Sequence, residues 1–170
     1  DLLLWRSYMF SAITTNFQWS DASSLATLHD RPWTAIRLAR IARKHGLKQV
    51  ALLSLNMLTD CVMDVSDAFA KLREQILIYR DSDSYPERRG GLNLVNTTDL
   101  SFFDSGEKSE LLRLKAAFLN SLGGRAKANQ AYCQSLQICP SYAKSWLSWG
   151  ELCSSLAGLA EKQGNLASSD

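Results

Sequence analysis

The sequence predicts an all-α fold, an α-solenoid of tetratricopeptide-like helical hairpins, and three observations carry that prediction. Apolar residues recur at three- and four-residue steps along most of the chain, the period of a helix face. The prolines Pro32, Pro86 and Pro140 stand where a helix would start or where two elements would join. No Asn-Gly or Asp-Gly hairpin signal occurs, and no run of β-branched residues alternates with polar ones, so no sheet is expected.

Leu2 to about Thr15 forms the first expected helix, with Trp5, Tyr8, Met9 and Ile13 on its apolar steps. Asn16 to Arg31 mixes Ser, Asp and Thr with Phe17, Trp19, Leu25 and Leu28, and reads as a loop with at most a short helical turn. From Pro32, a favourable residue for a first helical turn, Trp33, Ile36 and Ile41 alternate with Arg37, Arg40 and Lys44 up to Gly46, a left-handed stop. Leu47 to Thr59 is apolar almost all round, which predicts a helix sandwiched between neighbours.

Asp64 or Ser66 can cap the next helix, in which Val65, Phe69, Leu72, Ile76 and Tyr79 make a stripe and Asp67 precedes Lys71 on the polar side. Asp81 to Gly91 has too few apolar groups to offset ordering entropy and reads as a mobile loop. Leu92 to Phe103 is expected to connect, with Leu92, Val95, Leu100, Phe102 and Phe103 tucked against the hairpins. Asp104 followed by Glu107 is a capping-box start for a helix through Leu122, ended by Gly123-Gly124. A further helix runs from Arg125 to about Cys139, and another begins after Pro140 with Trp146, Trp149 and Leu152. The expected organisation is thus N-terminal hairpins over 1–81, a loop and connector over 82–103, and tetratricopeptide-like hairpins over 104–170.

Composition narrows the function. Hydrophobic residues at 46% and charged residues at 21% describe a folding chain, and a net charge of +2 is too small for a general electrostatic trap for nucleic acid or anionic lipid. No uninterrupted apolar stretch exceeds four residues, against the ~20 that span a bilayer. The chain opens on Asp1 without a signal-peptide pattern, which suggests a piece of something longer. Cys61, Cys133, Cys139 and Cys153 lack CxxC spacing, and are expected to be small buried apolar residues in a reducing compartment.

A tetratricopeptide register can be laid over the C-terminal part. With Pro140 at the closing position, Gly123 falls at the turn, Ala128, Tyr132 and Leu136 fall on the second helix, and Trp146 and Gly150 take the aromatic and glycine positions of the next unit. Small residues there let paired helices approach while an aromatic fills the gap between hairpins, so Tyr132 and Trp146 are expected to be buried at a junction. Lys115 and Ser135 depart from the pattern, and a non-repeat helical bundle is the plainer alternative.

No constellation points to catalysis, a cofactor or a metal. His29 and His45 have no carboxylate or cysteine at ligand spacing and read as surface residues. Gly90-Gly91 and Gly123-Gly124 read as helix boundaries without the lysine and hydroxyl of a phosphate-cradling loop. Arg40 to Leu58 has the tight-turn spacing of a helix-turn-helix, with Ala42 four residues before Gly46 and with Arg37, Arg40, Arg43, Lys44 and Lys48 supplying charge. Its would-be recognition helix offers only Lys48, Gln49, Ser54 and Asn56 among apolar residues, too few to read base edges, so a solvated basic face is expected. Trp146, Trp149, Tyr132 and Tyr142 could line a peptide groove, although core between repeats is the expected use.

The residues also resemble a known family. Arg40-Ile41-Ala42-Arg43-Lys44-His45-Gly46-Leu47, then Val50-Ala51-Leu52 and Phe69-x-Lys71-Leu72-Arg73-Glu74-Gln75, resemble the FAT region of TRRAP-type transcription-associated pseudokinases, among the phosphatidylinositol-3-kinase-related kinases. Gly91-Leu92, Thr98-Asp99-Leu100, Phe103, Leu114-Lys115 and Phe118-Leu119 extend the likeness, as do Ala126-x-Ala128-Asn129-x-Ala131-Tyr132 and Ala143-Lys144-x-Trp146-x-x-Trp149-Gly150. Asp1 to Arg6 is similar to the family's entry helix, whereas Asn16 to Asp30 and Asp81 to Gly90 depart from it. These are packing residues, so the resemblance bears on architecture. It implies a non-catalytic nuclear scaffold in histone acetyltransferase coactivator complexes of the SAGA type and a MYST-enzyme type, on which activators dock. The implied partners are neighbouring repeats of the parent chain and protein subunits, with no specific nucleic acid and no membrane. The alternatives are a FAT segment of an active kinase of the same superfamily, or a free-standing tetratricopeptide-type peptide-binding module.

Overall fold

A computed structural model describes the backbone at residues 2–14, 22–59, 61 and 63–167; the side chains of Ser7, 10–31 and 160–167 lie outside the described set. The readings of Ile13, Phe17, Trp19, Leu25, Leu28 and His29 therefore concern side chains not described. Among the described residues every element is an α-helix: α1 Leu2–Thr14, α2 Ala22–Lys44, α3 Lys48–Asn56, α4 Val65–Arg80, α5 Tyr85–Thr97, α6 Ser105–Ser121, α7 Arg125–Ile138 and α8 Ala143–Ala167. They divide into two compact units, Asp1–Ser82 and Asp83–Asp170.

In the first unit α2 packs against α1, α3 and α4, and α3 also packs against α4. Ala35, Ala39 and Ala42 lie at helical steps on the inner face of α2, where their small side chains let α3 come close. Ile36, Ala51, Leu55, Leu58 and Ile78 complete that core. The chain reverses through Gly46 at φ +73°, and the Leu47 amide donates to the Ala42 carbonyl at 2.8 Å while the Gly46 amide donates to Arg43 at 3.0 Å. This pair of bonds is the Schellman stop that only a residue tolerant of positive φ closes cheaply. On α4, the Asp64 carboxylate accepts the Asp67 amide at 2.7 Å, as a helix cap requires.

Several expectations for this unit are corrected. The helix does not start at Pro32: α2 begins at Ala22 and carries a buried Pro32 in its interior. Proline there removes one backbone hydrogen bond and crowds the preceding turn, so flanking contacts outweigh local preference. Nor is α3 sandwiched, since Leu47, Val50, Leu53 and Met57 all lie on an exposed side. On α4, Ile76 is buried as expected but Val65 is exposed, and Asp67 is buried, away from the polar side assigned to it. Lys71 does not meet Asp67; it donates to the Leu58 carbonyl at 3.1 Å.

In the second unit α6 is central, packing against α5, α7 and α8, and α7 packs against α8. Its start is the capping box read from sequence: the Asp104 carboxylate accepts the Glu107 amide at 2.7 Å, and the Glu107 carboxylate accepts the Asp104 amide at 3.2 Å. Its end repeats the Schellman geometry, with Gly123 at φ +86°, Gly124 donating to Leu119 at 2.8 Å and Gly123 to Asn120 at 3.0 Å. The turn places Ala128, Ala131 and Tyr132 of α7 in one buried cluster with Ala116 of α6 and Leu152 of α8.

The segment expected to be a mobile loop is largely helix α5. Pro86 sits in the first turn, where no intrahelical hydrogen bond is lost, and Glu87 complements the helix dipole. Gly90-Gly91 is consequently interior to α5, not a boundary, and Gly91 is buried. Of the connector's apolar residues Val95 is buried, but Phe102 is exposed, because α5 ends at Thr97 and the chain turns outward before Asp104.

Candidate interaction surface

The basic face expected on α2 divides: Arg37 and Lys44 are exposed, but Arg40 and Arg43 are turned to a buried partner. The Glu74 carboxylate on α4 is fully buried and accepts from Arg40 Nε at 2.8 Å, Arg43 Nε at 3.1 Å and Arg73 Nη1 at 3.3 Å. Arg43 Nη1 also reaches Asp81 Oδ2 at 2.8 Å. A carboxylate in such a place needs positive partners to offset lost hydration. Arg40 and Arg43 thus clamp α2 to α4 and are spent on the fold. Outward the would-be recognition helix offers the apolar set Leu47, Val50, Leu53 and Met57 beside Gln49 and Asn56, while Lys48 is partly exposed and Ser54 is buried.

A second buried charge pair sits in the other unit. Glu110 and Arg113, one turn apart on α6, pair through both carboxylate oxygens at 2.6 and 3.0 Å. The Tyr142 hydroxyl donates to the same carboxylate at 2.8 Å, tying in the start of α8. Burial works against the Arg113 charge, but Glu110 more than compensates and holds the guanidinium above its ordinary pKa. Nearby, Ser109, Ser135 and Ser145 join α6, α7 and α8: the Ser135 hydroxyl lies 2.7 Å from that of Ser109 and 2.6 Å from that of Ser145, and donates to the Ser109 carbonyl at 2.8 Å. Ser135, a departure from the repeat pattern in sequence, is fully buried and small enough to serve at the crossing.

The aromatic set divides. Tyr132 is buried, and burial pushes its phenol above the ordinary pKa. Trp149 is half-buried and donates from Nε1 to Asn129 Oδ1 at 2.7 Å. Trp146, expected in the core, is 50% exposed. The inward positions of α8 are Ser145 and Leu152, one residue out of phase with Trp146, whose Nε1 instead donates to the Pro140 carbonyl at 2.7 Å. The two indoles lie 5.6 Å apart, tilted by 46°. The cysteines are not the buried residues expected either: Cys61, Cys133 and Cys139 are partly exposed and Cys153 is exposed on α8.

His45 is exposed, and among the described residues no group of three or more His, Cys, Asp or Glu side chains could hold a metal ion. No described helix is long and apolar enough to cross a membrane. The described surface is therefore characterised by apolar helix faces: α1 with Leu2, Leu4, Trp5, Tyr8 and Met9, the outer side of α3, and one side of α8.

Comparison with known proteins places the chain in a family. The model of the FAT domain matches residues 1–168. The chain is 38% identical over 123 residues to the SAGA complex/NuA4 acetyltransferase complex subunit Tra1 of Schizosaccharomyces pombe, covering 72% of the chain and 3% of that protein. It is 36% identical over 121 residues to the probable transcription-associated protein 1 of Dictyostelium discoideum, covering 71% and 3%. With the SAGA complex/NuA4 acetyltransferase complex subunit TRA1 of Saccharomyces cerevisiae the identity is 31% over 164 residues, covering 88% and 4%. The chain thus spans only three to four per cent of the length of these relatives.

Proposed function

The chain belongs to the FAT domain family, as part of the FAT region of TRRAP/Tra1-type transcription-associated proteins, and from that premise we propose that it is a non-catalytic scaffold segment of a nuclear coactivator subunit. Its task is to hold neighbouring repeats and protein partners in fixed geometry within histone acetyltransferase complexes, the assemblies for which two of its relatives are named. Neither specific nucleic acid nor membrane belongs to its partners.

The observation that carries this reading is where the buried charge goes. Glu74 is spent on Arg40, Arg43 and Arg73, and Glu110 on Arg113 and Tyr142, so these buried groups already have protein partners and hold helices in place. The outward surface offered in exchange is apolar helix face, Leu47, Val50, Leu53 and Met57, of the kind that docks against other helices.

The test is affinity purification of the full-length protein carrying Leu53→Glu and Met57→Glu. Both side chains are more than half exposed, so the fold should survive while at least one co-purifying subunit, or the protein's own compact protease-resistant form, is lost. Unchanged subunit composition together with unchanged protease resistance would remove the scaffold assignment from this face.

A further inference from the structure

The two long helices of the second unit can be compared at the tetratricopeptide period of about 34 residues. At that offset Ser145 falls on Leu111, Gly150 on Ala116 and Leu152 on Phe118. Ser145, Leu111, Leu152 and Phe118 are all buried, so the inward faces of α6 and α8 correspond. The next face does not. On α6 it holds Leu112 and Ala116, both buried, with Ala116 in the same cluster as Ala128 and Ala131 of α7. On α8 the same positions are Trp146, half exposed, and Gly150, exposed, with nothing within 4 Å of where a Cβ would stand.

That face is an open groove of about 630 Å³, lined by Trp146, Leu147, Gly150, Glu151, Ser154 and Ser155. Leu147 beside the glycine is 67% exposed. Glycine inside a helix weakens it relative to alanine, and here no described atom uses the room that glycine leaves. Ala116 marks the place where a second helix comes close, and Gly150 occupies the equivalent place on α8.

We propose that the Trp146–Gly150 face of α8 receives a helix of the same polypeptide from beyond Asp170, which pairs with α8 as α7 pairs with α6 and sets a small residue against Gly150. The segment after Gly158 is the wrong occupant. At the same offset it would put Lys162 and Asn165 where Ala128 and Ala131 make the close approach, and α8 stays helical to Ala167. A later segment is available, since the relatives are many times longer than this chain. The groove in turn accounts for Trp146: its indole is exposed because the repeat assigns it to a hairpin whose second helix is elsewhere in the chain. This inference rests on the scaffold reading only in taking the surface to be a packing face.

The test uses the full-length protein with Leu147→p-benzoylphenylalanine, irradiated and mapped by mass spectrometry, with subunit co-purification measured on the same sample. The expected product is an intramolecular cross-link to a helical segment beyond residue 170. With Gly150→Ala added the yield should persist, as alanine serves at the equivalent place on α6, whereas Gly150→Leu should cut it about tenfold by overfilling the crossing. A cross-link into another polypeptide, or none with fast deuterium exchange across α8, overturns the inference while leaving the scaffold role standing. Loss of all co-purifying subunits from the wild-type protein would count against the scaffold role without touching the cross-link. Should Gly150→Leu fail to fold, the position of the Leu147 cross-link decides alone.

Discussion

Replacing Glu74 with glutamine preserves volume while removing the one negative charge that three guanidinium groups face at 2.8 to 3.3 Å. The partners do not suffer equally. Arg40 and Arg73 have side chains 36% and 26% exposed and can rotate toward water, so each contributes at most ~1 kcal/mol. Arg43 is only 14% exposed; it meets Glu74 through Nε and keeps Asp81 as its remaining partner through Nη1. Leaving one arm of a buried pair uncompensated costs ~3–5 kcal/mol, and Asp81 relieves part of that. The expected loss is about 3 kcal/mol, or roughly a hundredfold rise in the opening of α2 against α4. Hydrogen exchange of amides in α2 and α4, followed alongside a denaturant melt, reads both. A companion variant, Glu74→Leu with Arg43→Met, should recover much of the loss by replacing the pair with apolar volume. A loss under ~1 kcal/mol for Glu74→Gln would mean the arginines are solvated after all, and the clamp would fail as an explanation of how α2 is held.

Three further outcomes follow from the described contacts. Tyr132→Ala should cost ~3–5 kcal/mol as a buried aromatic while Trp146→Ala, half exposed, costs less than half as much in the isolated chain; thermal melts that reverse this order would contradict the assigned register of α8. Ser135→Ala should destabilise by ~1–3 kcal/mol, since it leaves the Ser109 and Ser145 hydroxyls short of a buried partner, and a neutral result in urea unfolding would show that water replaces it. No sequence-specific binding to duplex DNA is expected of Leu47–Leu58; a footprint that is lost on Lys48→Ala and Gln49→Ala with the fold intact would reinstate the helix-turn-helix reading.

Local chemistry made some of this legible from sequence. Gly46, Gly123 and the Asp104/Glu107 box act within a few residues of themselves, so their geometry follows from spacing alone. Pro32 and Pro86 were ambiguous for the same reason: a proline in a first turn and one inside a helix differ only in what precedes them. The residues before Pro86 cap a helix, while those before Pro32 continue one. Burial was less legible because it depends on partners far along the chain. Arg40 and Arg43 read as a solvated face since Glu74 lies more than thirty residues away. Trp146 carried the right repeat position, but repeat position assigns a neighbour without saying that the neighbour is present.

The three serines at the crossing of α6, α7 and α8 have a mechanical consequence. Each hydroxyl is satisfied by another in a single alignment, and sliding α7 along α6 by a fraction of a turn would strand polar groups with no water to receive them. Small axial slips are therefore forbidden, and only displacement of the three helices together is cheap. A load applied at α8 then travels to α6 without being absorbed between them, and this part of the chain acts on its surroundings as a strut.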